Sequence, residues 1–369
     1  MRRSCASPGR GNEVRMAKIL IAGAGGAPSE GVINSLLAAG RHEVVGMGSE
    51  PSDLVLSHAA RTYVVPYAND SGYRAALLKV LGRERPDLIH FQNDLEVYHA
   101  SLLRDEIHAA GTKTFMPPHD VIETCVDKWK SYLRFRAAGV KVPDNVFLND
   151  PGDLERAFDE LGDRDGRIWI RKSGIGAGGA GSIPTNDRQL AKCWIDRQRG
   201  WGDFVAARML TSKTVTWLSI WHEGELVVAQ TRRRTGWIHG SRAPSGVTGV
   251  TKVGETCSDP AVDDIAQRAV RAVSDRPHGI FGVDMAYDEA GVPNPTEINI
   301  SRFFTTVLFF TRAGLNLPEI FVDLGLTGER PNLARALNPL PDGLLWLRGM
   351  DTPPRLMRRE DIDREVLVP

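Results

Sequence analysis

The first third of the chain repeats one pattern, in which an apolar run is followed by a segment with helical periodicity. An apolar run starts at Ala17, a glycine-rich turn follows it, and an amphipathic helix then ends at Gly40. A second apolar run, Glu43 to Met47, completes a β-α-β unit of a parallel sheet. The same alternation predicts elements at 63–65, 72–81, 88–91, 100–110 and 113–115. Pro117-Pro118 then marks a boundary, and the pattern predicts an α/β domain with a doubly wound parallel sheet over residues 17–116.

The glycine-rich turn after the first strand matches a dinucleotide-binding loop only in part. A G-x-G-x-x-G loop needs a third glycine where Pro28 stands, although Glu50 occupies the place of a ribose acceptor at the end of the second strand. Binding of a nicotinamide cofactor is therefore an alternative to a loop that only faces a ligand cleft.

Polar residues follow the strand predicted at 88–91. Asn93, Asp94 and Glu96 come just after its carboxyl end, which is the edge where ligands bind in open α/β sheets. Asp94 is also a candidate helix N-cap, with Glu96 in the first turn, where the helix dipole favours an acidic residue. We expect Asp94 to cap a helix, and a ligand contact there is compatible with that role.

Lys128 lies near the start of a predicted helix that begins at about Asp127 and stops at Gly139. A cation at this end of a helix is unfavourable next to the helix dipole, and a bound anion would compensate for it. The alternative is a solvated lysine.

A glycine-rich loop follows the strand predicted at 167–172, which ends in Arg171-Lys172. Its five glycines are Gly174, Gly176, Gly178, Gly179 and Gly181. Because glycine has no side chain, the backbone N–H groups of such a loop can approach phosphate oxygens closely. The loop is not closed by G-K-[ST], so it is not a Walker A loop. The residues favour phosphate binding over a plain linker.

Three consecutive arginines, Arg232 to Arg234, follow the strand predicted at 226–231. Successive strand side chains point to opposite faces, so at least one guanidinium should point into a cleft and bind phosphate or carboxylate. The alternative is a solvated edge that blocks aggregation. Residues 241–254 are rich in Gly, Ser and Thr and are predicted to form a mobile loop before a helix over 260–274.

Residues 282–302 have the alternation of a β-hairpin, with a turn near Ala290-Gly291. In that register Asp284 lies across from Glu297, and Asn299 shares the face of Glu297. Facing carboxylates are destabilising unless a cation lies between them, and an all-oxygen set suits Mg2+. The alternative is a solvated polar strand face.

Composition limits the classes of function. The 46 Lys and Arg residues equal the 46 Asp and Glu residues, so no bulk attraction to nucleic acid or an anionic membrane is expected. The four cysteines are scattered without a C-x-x-C pair, which favours a reducing cytoplasm over structural zinc. The longest apolar run, 303–310, is too short for a membrane span. Residues 1–16 have no apolar core of a signal peptide, so we expect a disordered leader with Met16 as a candidate start.

The order of these parts resembles the ATP-grasp superfamily, in particular carboxylate–amine ligases related to the synthetase halves of the carbamoyl-phosphate synthase large subunit. The resemblance spans about residues 17–325. It is carried by D-K-W before a helix that ends in G-V-K-V-P, by I-R-K-S-G-I-G-A-G-G-A-G-S, and by G-V-D-x-x-x-D followed by E-I-N. It implies that the doubly wound domain is followed by a two-lobed α+β ATP-grasp domain over 117–328, with a small lid lobe at about 140–210 and an extension at 329–369. The Pro-rich tail from Arg330 to Pro369 is expected to pack loosely, with some short strands.

The resemblance also implies roles for individual residues. Lys128 and Lys172 would contact ATP phosphates, and Asp284, Glu297 and Asn299 would hold Mg2+, with Mn2+ as an alternative ion. The other residues implied in nucleotide binding are Gly176, Gly178, Gly179, Gly181, Met209 and Leu210. Arg302 and Lys172 would be catalytic by neutralising charge.

Two positions depart from the family pattern. Arg208 stands where the family has an acidic residue that binds adenine and ribose, so the recognition of the base is in doubt. Arg302 lies one residue further along than in E-x-N-x-R, so it is open which arginine contacts the acyl phosphate.

The predicted function is ATP- and Mg2+-dependent ligation of a carboxylate to an amine, with release of ADP and phosphate. A nicotinamide-dependent oxidoreductase, a non-catalytic ATP-binding sensor and a carbamoyl- or phosphoryl-transfer enzyme are the alternatives. The expected partners are small-molecule acids and amines, with no nucleic acid and no membrane. The oligomeric state stays open, with a homodimer as the default.

Overall fold

The structure is a computed structural model, which describes residues 16–175, 181–238, 250–349 and 354–361. The predicted leader, the loop residues Gly176, Gly178 and Gly179, and most of the predicted loop at 241–254 lie outside the described residues.

The N-terminal part is a five-stranded parallel sheet with the strand order β3-β2-β1-β4-β5. Its elements are β1 Ala17–Ala22, α1 Ala27–Ala39, β2 His42–Gly48, α2 Pro51–Leu54, β3 Thr62–Val64, α3 Tyr73–Glu84, β4 Leu88–His90, α4 Asp94–Leu102, α5 Arg104–Ala109 and β5 Lys113–Thr114. Alternate residues of β1 enter two different hydrophobic clusters, Leu20 one and Ile19 and Ile21 the other, so both faces of the sheet are covered. The doubly wound sheet is thereby confirmed.

The start of α4 differs from the sequence prediction. Asn93, not Asp94, is the N-cap, because its side chain accepts a hydrogen bond from the Glu96 backbone N–H at 2.9 Å. The prediction of Asp94 as the cap was wrong, and the helix begins six positions before the predicted start at 100. The Asp94 carboxylate, at the carboxyl edge of the sheet, instead accepts hydrogen bonds from Arg302.

The next part is a four-stranded antiparallel sheet with the strand order β6-β9-β7-β8. Its elements and the two helices before it are α6 His119–Val126, α7 Lys128–Ala137, β6 Asn145–Leu148, α8 Pro151–Leu161, β7 Ile168–Lys172, β8 Ile183–Thr185, α9 Arg188–Arg197 and β9 Phe204–Arg208. Apolar residues of this sheet and of α8 and α9 form a separate core, which includes Leu154, Ile170 and Phe204. This part of the chain therefore has a core of its own, and its role as a lid and its boundaries stay predictions.

The last part is a seven-stranded sheet with the strand order β14-β13-β10-β11-β12-β15-β16. Its elements are β10 Thr214–His222, β11 Glu225–Trp237, β12 Thr251–Thr256, α10 Pro260–Val273, β13 Gly279–Tyr287, β14 Pro293–Ile300, α11 Val307–Arg312, α12 Leu317–Thr327, β15 Leu344–Leu347 and β16 Arg355–Arg358. Ile220, Phe303 and Phe310 share a hydrophobic cluster with Ile19 of the N-terminal sheet. The two sheets therefore share one core, whereas the four-stranded sheet does not.

Two sequence predictions about this part were wrong. Gly254 lies in β12 rather than in a loop. The C-terminal extension was expected to pack loosely, but β15 pairs with β12 and buries Leu345 and Trp346. Among the described residues, no helix is long and apolar enough to cross a membrane.

Candidate active site

A cavity of about 1460 Å3 lies between the four-stranded sheet, the seven-stranded sheet and the carboxyl edge of the N-terminal sheet. Eight of the predicted site residues line it: Lys128, Lys172, Met209, Leu210, Asp284, Glu297, Asn299 and Arg302. Gly181 is not among the lining residues, although its neighbour Ser182 is. The structure therefore brings the described part of the predicted site together, apart from Gly181.

The register of the seven-stranded sheet places the two predicted metal ligands side by side. Asp284 of β13 pairs with Glu297 of β14, as the sequence predicted. Asp284 Oδ1 accepts a hydrogen bond from Thr216 Oγ1 at 2.5 Å, and its Oδ2 accepts one from Asn299 Nδ2 at 3.2 Å. Directly paired residues of an antiparallel sheet lie on the same face, so this oxygen-rich group faces the cavity.

Glu297 is surrounded by cations. Lys128 Nζ lies 3.2 Å from Glu297 Oε2. Burial alone would raise the pKa of Glu297, but Lys128, Arg171 and Arg302 together lower it to about 2. Since 34% of the side chain is still exposed to the cavity, the carboxylate is ionised and accessible.

The start of α7 explains how Lys128 reaches this carboxylate. Asp127 caps the helix by accepting hydrogen bonds from the backbone N–H groups of Trp129 at 2.8 Å and Lys130 at 3.0 Å. Ser173, just after β7, donates its hydroxyl to Asp127 at 2.7 Å and accepts the Lys128 backbone N–H at 2.8 Å. These hydrogen bonds fix the start of α7 against the end of β7. Lys128, the cation for which the sequence predicted an anion, is thereby held next to Glu297.

The side chains of the last two residues of β7, Arg171 and Lys172, point in different directions. Lys172 is half-buried and pairs with Asp203, with 3.2 Å between Nζ and Oδ2. Arg171 is buried, stacks on the Trp169 ring with its Cζ 4.1 Å from the ring centroid, and donates from Nη1 to the Thr296 carbonyl oxygen at 3.2 Å. Burial lowers the pKa of Arg171 to about 10, and Glu297 opposes that change. Sequence reasoning missed Arg171 as a site residue, although strand alternation at the Arg-Lys pair could have found it.

Arg302 connects the site to the N-terminal sheet. Its Nε donates to Asp94 Oδ1 at 2.6 Å and its Nη2 donates to Asp94 Oδ2 at 3.2 Å, and Nη2 also donates to Asn299 Oδ1. Burial would lower the pKa of Arg302, but Asp94 outweighs it and raises that pKa. In this arrangement Asp94 pairs with Arg302, and the Asn299 carbonyl oxygen accepts one hydrogen bond, which leaves its second lone pair for a metal ion.

The three consecutive arginines of β11 separate by strand alternation. Arg232 and Arg234 line the cavity, whereas Arg233 points to the opposite face and pairs with Glu255 at 3.8 Å. Arg232 is 2% exposed. The prediction that at least one of them faces a cleft is confirmed for Arg232 and Arg234.

The donor set fits a hard divalent ion that keeps other oxygen ligands. Among the described residues, no group of three or more His, Cys, Asp and Glu side chains could hold a metal by itself. Asp284 and Glu297 supply two carboxylates, which is the number Mg2+ usually takes from a protein when phosphate oxygens and water complete its shell. The surrounding cations Lys128, Arg171 and Lys172 suit a polyphosphate rather than a second metal.

No protein-family model matches the chain. A probable alpha-L-glutamate ligase of Xanthomonas campestris pv. campestris (strain 8004) is 26% identical over 204 residues, which are 55% of this chain and 66% of that protein. The chain thus spans just under two thirds of the length of this curated relative.

Solved structures share the whole fold at low sequence identity. The L-amino acid ligase from Bacillus licheniformis has a TM-score of 0.67 and 13% identity, and covers 89% of this chain and 78% of its own. The biotin carboxylase domain dimer of Hydrogenobacter thermophilus 2-oxoglutarate carboxylase, in complex with MgADP and bicarbonate, has a TM-score of 0.67 and 16% identity, and covers 90% of this chain and 74% of its own. These matches confirm the fold class that the sequence predicted. The narrower relation to carbamoyl-phosphate synthase stays a prediction.

Proposed function

We propose that this protein is an ATP- and Mg2+-dependent ligase that joins a carboxylate to an amine. The observation that carries the proposal is the pairing of Asp284 with Glu297 on one sheet face, with Lys128 3.2 Å from Glu297 at the start of a helix. Relatives named as ligases and a similar structure in complex with MgADP support the same reaction class and the same cofactors.

In the proposed reaction a carboxylate oxygen of the acid forms a bond to the γ-phosphorus of ATP. The bond between that phosphorus and the β-γ bridging oxygen breaks, and ADP leaves with the electron pair. The amine nitrogen then attacks the acyl carbon, the bond from that carbon to the phosphate oxygen breaks, and the nitrogen loses a proton to solvent. The products are an amide, ADP and phosphate, and no covalent bond to the protein is needed.

The residues of the site have separate roles in this proposal. Asp284, Glu297 and Asn299 would hold Mg2+ through their side-chain oxygens, and the ion would offset the negative charge of the ATP phosphates. Lys128 and Lys172 bind phosphate oxygens, and Arg171 holds Glu297 ionised from the lobe. Arg302 is fixed by Asp94 at the edge of the N-terminal sheet, so charge neutralisation at the acyl phosphate depends on a prearranged group.

The nucleotide base has a place beside Met209 and Leu210, which follow β9 and line the cavity. Arg208, at the end of that strand, also lines the cavity and donates to the Glu160 carbonyl oxygen at 2.9 Å. As a cation it cannot accept hydrogen bonds from the base and ribose as an acidic residue would. The relatives' names favour an amino acid as one substrate. A homodimer and a cytoplasmic location complete the proposal.

The test is ADP release by the full chain with Mg-ATP and a panel of amino acids and other carboxylates, each with and without an amine. ADP release that needs both an acid and Mg2+ supports the ligase. MgADP binding without any turnover would instead indicate the sensor, and NADPH binding in a fluorescence titration would favour the oxidoreductase.

A further inference from the structure

The cavity holds a pair of guanidinium groups to which the reaction proposed above gives no role. Arg232 and Arg234 alternate with Arg233 along β11 and therefore share the face that lines the cavity. Arg232 pairs with Thr216 of β10, and Thr216 pairs with Asp284 of β13. The pair lies on the far side of Asp284 from Glu297 and Lys128.

Hydroxyl groups and aromatic rings hold the two guanidinium groups. Arg232 donates to Thr306 Oγ1 and, at 3.3 Å, to Thr216 Oγ1, and its Cζ lies 4.2 Å from the centroid of the Phe304 ring. The Cζ of Arg234 lies 4.6 Å from the centroid of the Trp237 ring. The Nε atoms of both arginines are buried and have no hydrogen-bond partner among the described residues.

Negative charge is scarce around this pair. Asp284 Oδ1 lies 3.7 Å from Arg234 Nη2, and among the described residues no carboxylate forms an ion pair with Arg232. Among the described residues, Asp284, which the metal also requires, is therefore the one carboxylate that forms an ion pair with either guanidinium group.

A buried cation without its own anion is costly, because desolvation is not offset by Coulomb attraction. The cost is visible at Arg232, where burial and then the neighbouring Arg234 lower the pKa to about 9 despite the opposing effect of Asp284. Stacking on an aromatic ring offsets only part of it. A bound anion would complete the site.

We propose that Arg232 and Arg234 form the subsite for the carboxylate of the acid substrate. The proposal rests on the ligase function proposed above and names the residues that select and orient its acid. A planar carboxylate fits two adjacent N–H groups of a guanidinium, and the unpartnered Nε of each arginine offers one of them. Phosphate oxygens have other cations: Lys128, which lies beside Glu297, and Lys172, which lies at the end of β7.

Binding without turnover tests the subsite. The thermal unfolding of the full chain is followed with MgADP, alone and with acetate, succinate or L-glutamate. We expect at least one of these carboxylates to raise the midpoint further in the wild-type protein. In Arg232→Met and Arg234→Gln we expect its affinity to fall roughly tenfold or more, because a charge-assisted hydrogen bond is lost, while MgADP affinity changes less than about twofold.

Arg233→Gln is the matched control, since it removes the same charge from the same strand on the opposite face. We expect it to keep both affinities. Arg234 is only partly buried, so Arg234→Gln stays informative if Arg232→Met fails to fold, which circular dichroism reveals. In turnover assays the KM for the acid should rise in Arg234→Gln and the KM for ATP should not.

Three outcomes would overturn the subsite: a parallel loss of MgADP affinity, which would assign the pair to phosphate; unchanged carboxylate affinity in the variants; or a wild-type protein that binds none of the carboxylates. Carboxylate binding that depends on Arg232 or Arg234, together with no ADP release for any acid, would support the subsite and overturn the ligase function.

Discussion

Two regions of this molecule are candidate ligand sites: the glycine-rich turn after β1 and the charged cavity next to the seven-stranded sheet. They differ in whether the protein itself satisfies their polar groups. In the N-terminal turn, Gly25 donates its backbone N–H to Glu30 at 3.0 Å, and Glu30 also accepts from Ser57 Oγ at 2.6 Å and from the His58 backbone at 3.0 Å. A Cβ on Gly25 would lie 1.9 Å from the Asp53 carbonyl oxygen. Gly25 therefore allows the turn to pack closely against Asp53, and the Glu30 side chain already satisfies the Gly25 backbone N–H.

The cavity of the seven-stranded sheet is the opposite case. Glu297 needs Lys128 and Arg171 to remain ionised, and Arg232 and Arg234 keep buried Nε atoms without partners. Internally satisfied polar groups indicate a structural role, whereas charges that the protein alone does not balance indicate a binding site. By this criterion the first glycine loop, with its match to a dinucleotide fingerprint, is the weaker candidate for a cofactor site.

The largest expected effect separates the two regions by activity. Asp284→Asn and Glu297→Gln each remove a carboxylate that binds Mg2+ in the proposed reaction, so Mg2+-dependent ADP release should fall by about 100-fold or more. Glu225→Gln is the control, because Glu225 lies on β11 but pairs with Arg330 at the surface, 2.5 Å away. ADP release that is unchanged in the two site variants would contradict the metal assignment.

The next effect concerns stability and not activity. Gly25→Ala places a Cβ against the Asp53 backbone at a positive φ of 85°, so it should lower the free energy of unfolding by roughly 2–3 kcal/mol. Gly40→Ala has a similar φ of 69° with no atom within 4 Å of the new Cβ, and should cost only about 1 kcal/mol. Chemical denaturation measures both.

MgADP affinity in the folded fraction should stay at the wild-type value in both glycine variants, since neither position lines the cavity. A large loss of MgADP affinity in Gly25→Ala with normal stability would reverse the comparison and assign the nucleotide to the N-terminal loop.

Much of this site could be predicted from sequence where strand periodicity fixes neighbours. The pairing of Asp284 with Glu297 was predicted from a hairpin with its turn near Ala290-Gly291. The register next to the turn pairs Met285 with Pro295, and a bulge between Asp284 and Met285, which the sequence did not predict, brings Asp284 opposite Glu297. The helix cap did not follow, since Asn93 and Asp94 both suit that position and only the backbone geometry distinguishes them.

Contacts between distant segments were beyond sequence reasoning. The pairing of Arg302 with Asp94 joins residues 208 positions apart, and it depends on how the seven-stranded sheet packs against the N-terminal sheet. The burial of Arg232 depends on Phe304 and Thr306, which come from a third segment. Alternation showed that neighbouring arginines must diverge, but not which of them would be left without an anion.

The smallest expected effect is a pH dependence that distinguishes two ionised glutamates. Cations hold the pKa of Glu297 at about 2, and hydrogen bonds from Arg61 hold that of Glu84 in the N-terminal domain at about 2 as well, against an ordinary value of 4.5. A lowered folded-state pKa gives stability that is full above about pH 4.5 and is lost as the pH falls toward 2. As the pH falls from about 4.5 toward 2, the wild-type protein should therefore lose its higher free energy of unfolding relative to Glu297→Gln and to Glu84→Gln.

Mg2+ should separate the two cases. Mg2+ competes with protons for Glu297, so adding it should shift the loss of the Glu297 contribution to stability to lower pH. The free energy of unfolding should change by about 1 kcal/mol or less, since the side chain is partly solvated. Glu84 accepts hydrogen bonds from Lys18, Arg61 and Tyr63, so both of its oxygens already have partners. Mg2+ should therefore not change the pH at which the Glu84 contribution to stability is lost. Denaturation curves at each pH, with and without Mg2+, measure this difference, and an equal response at both glutamates would remove the distinction between the structural carboxylate and the binding one.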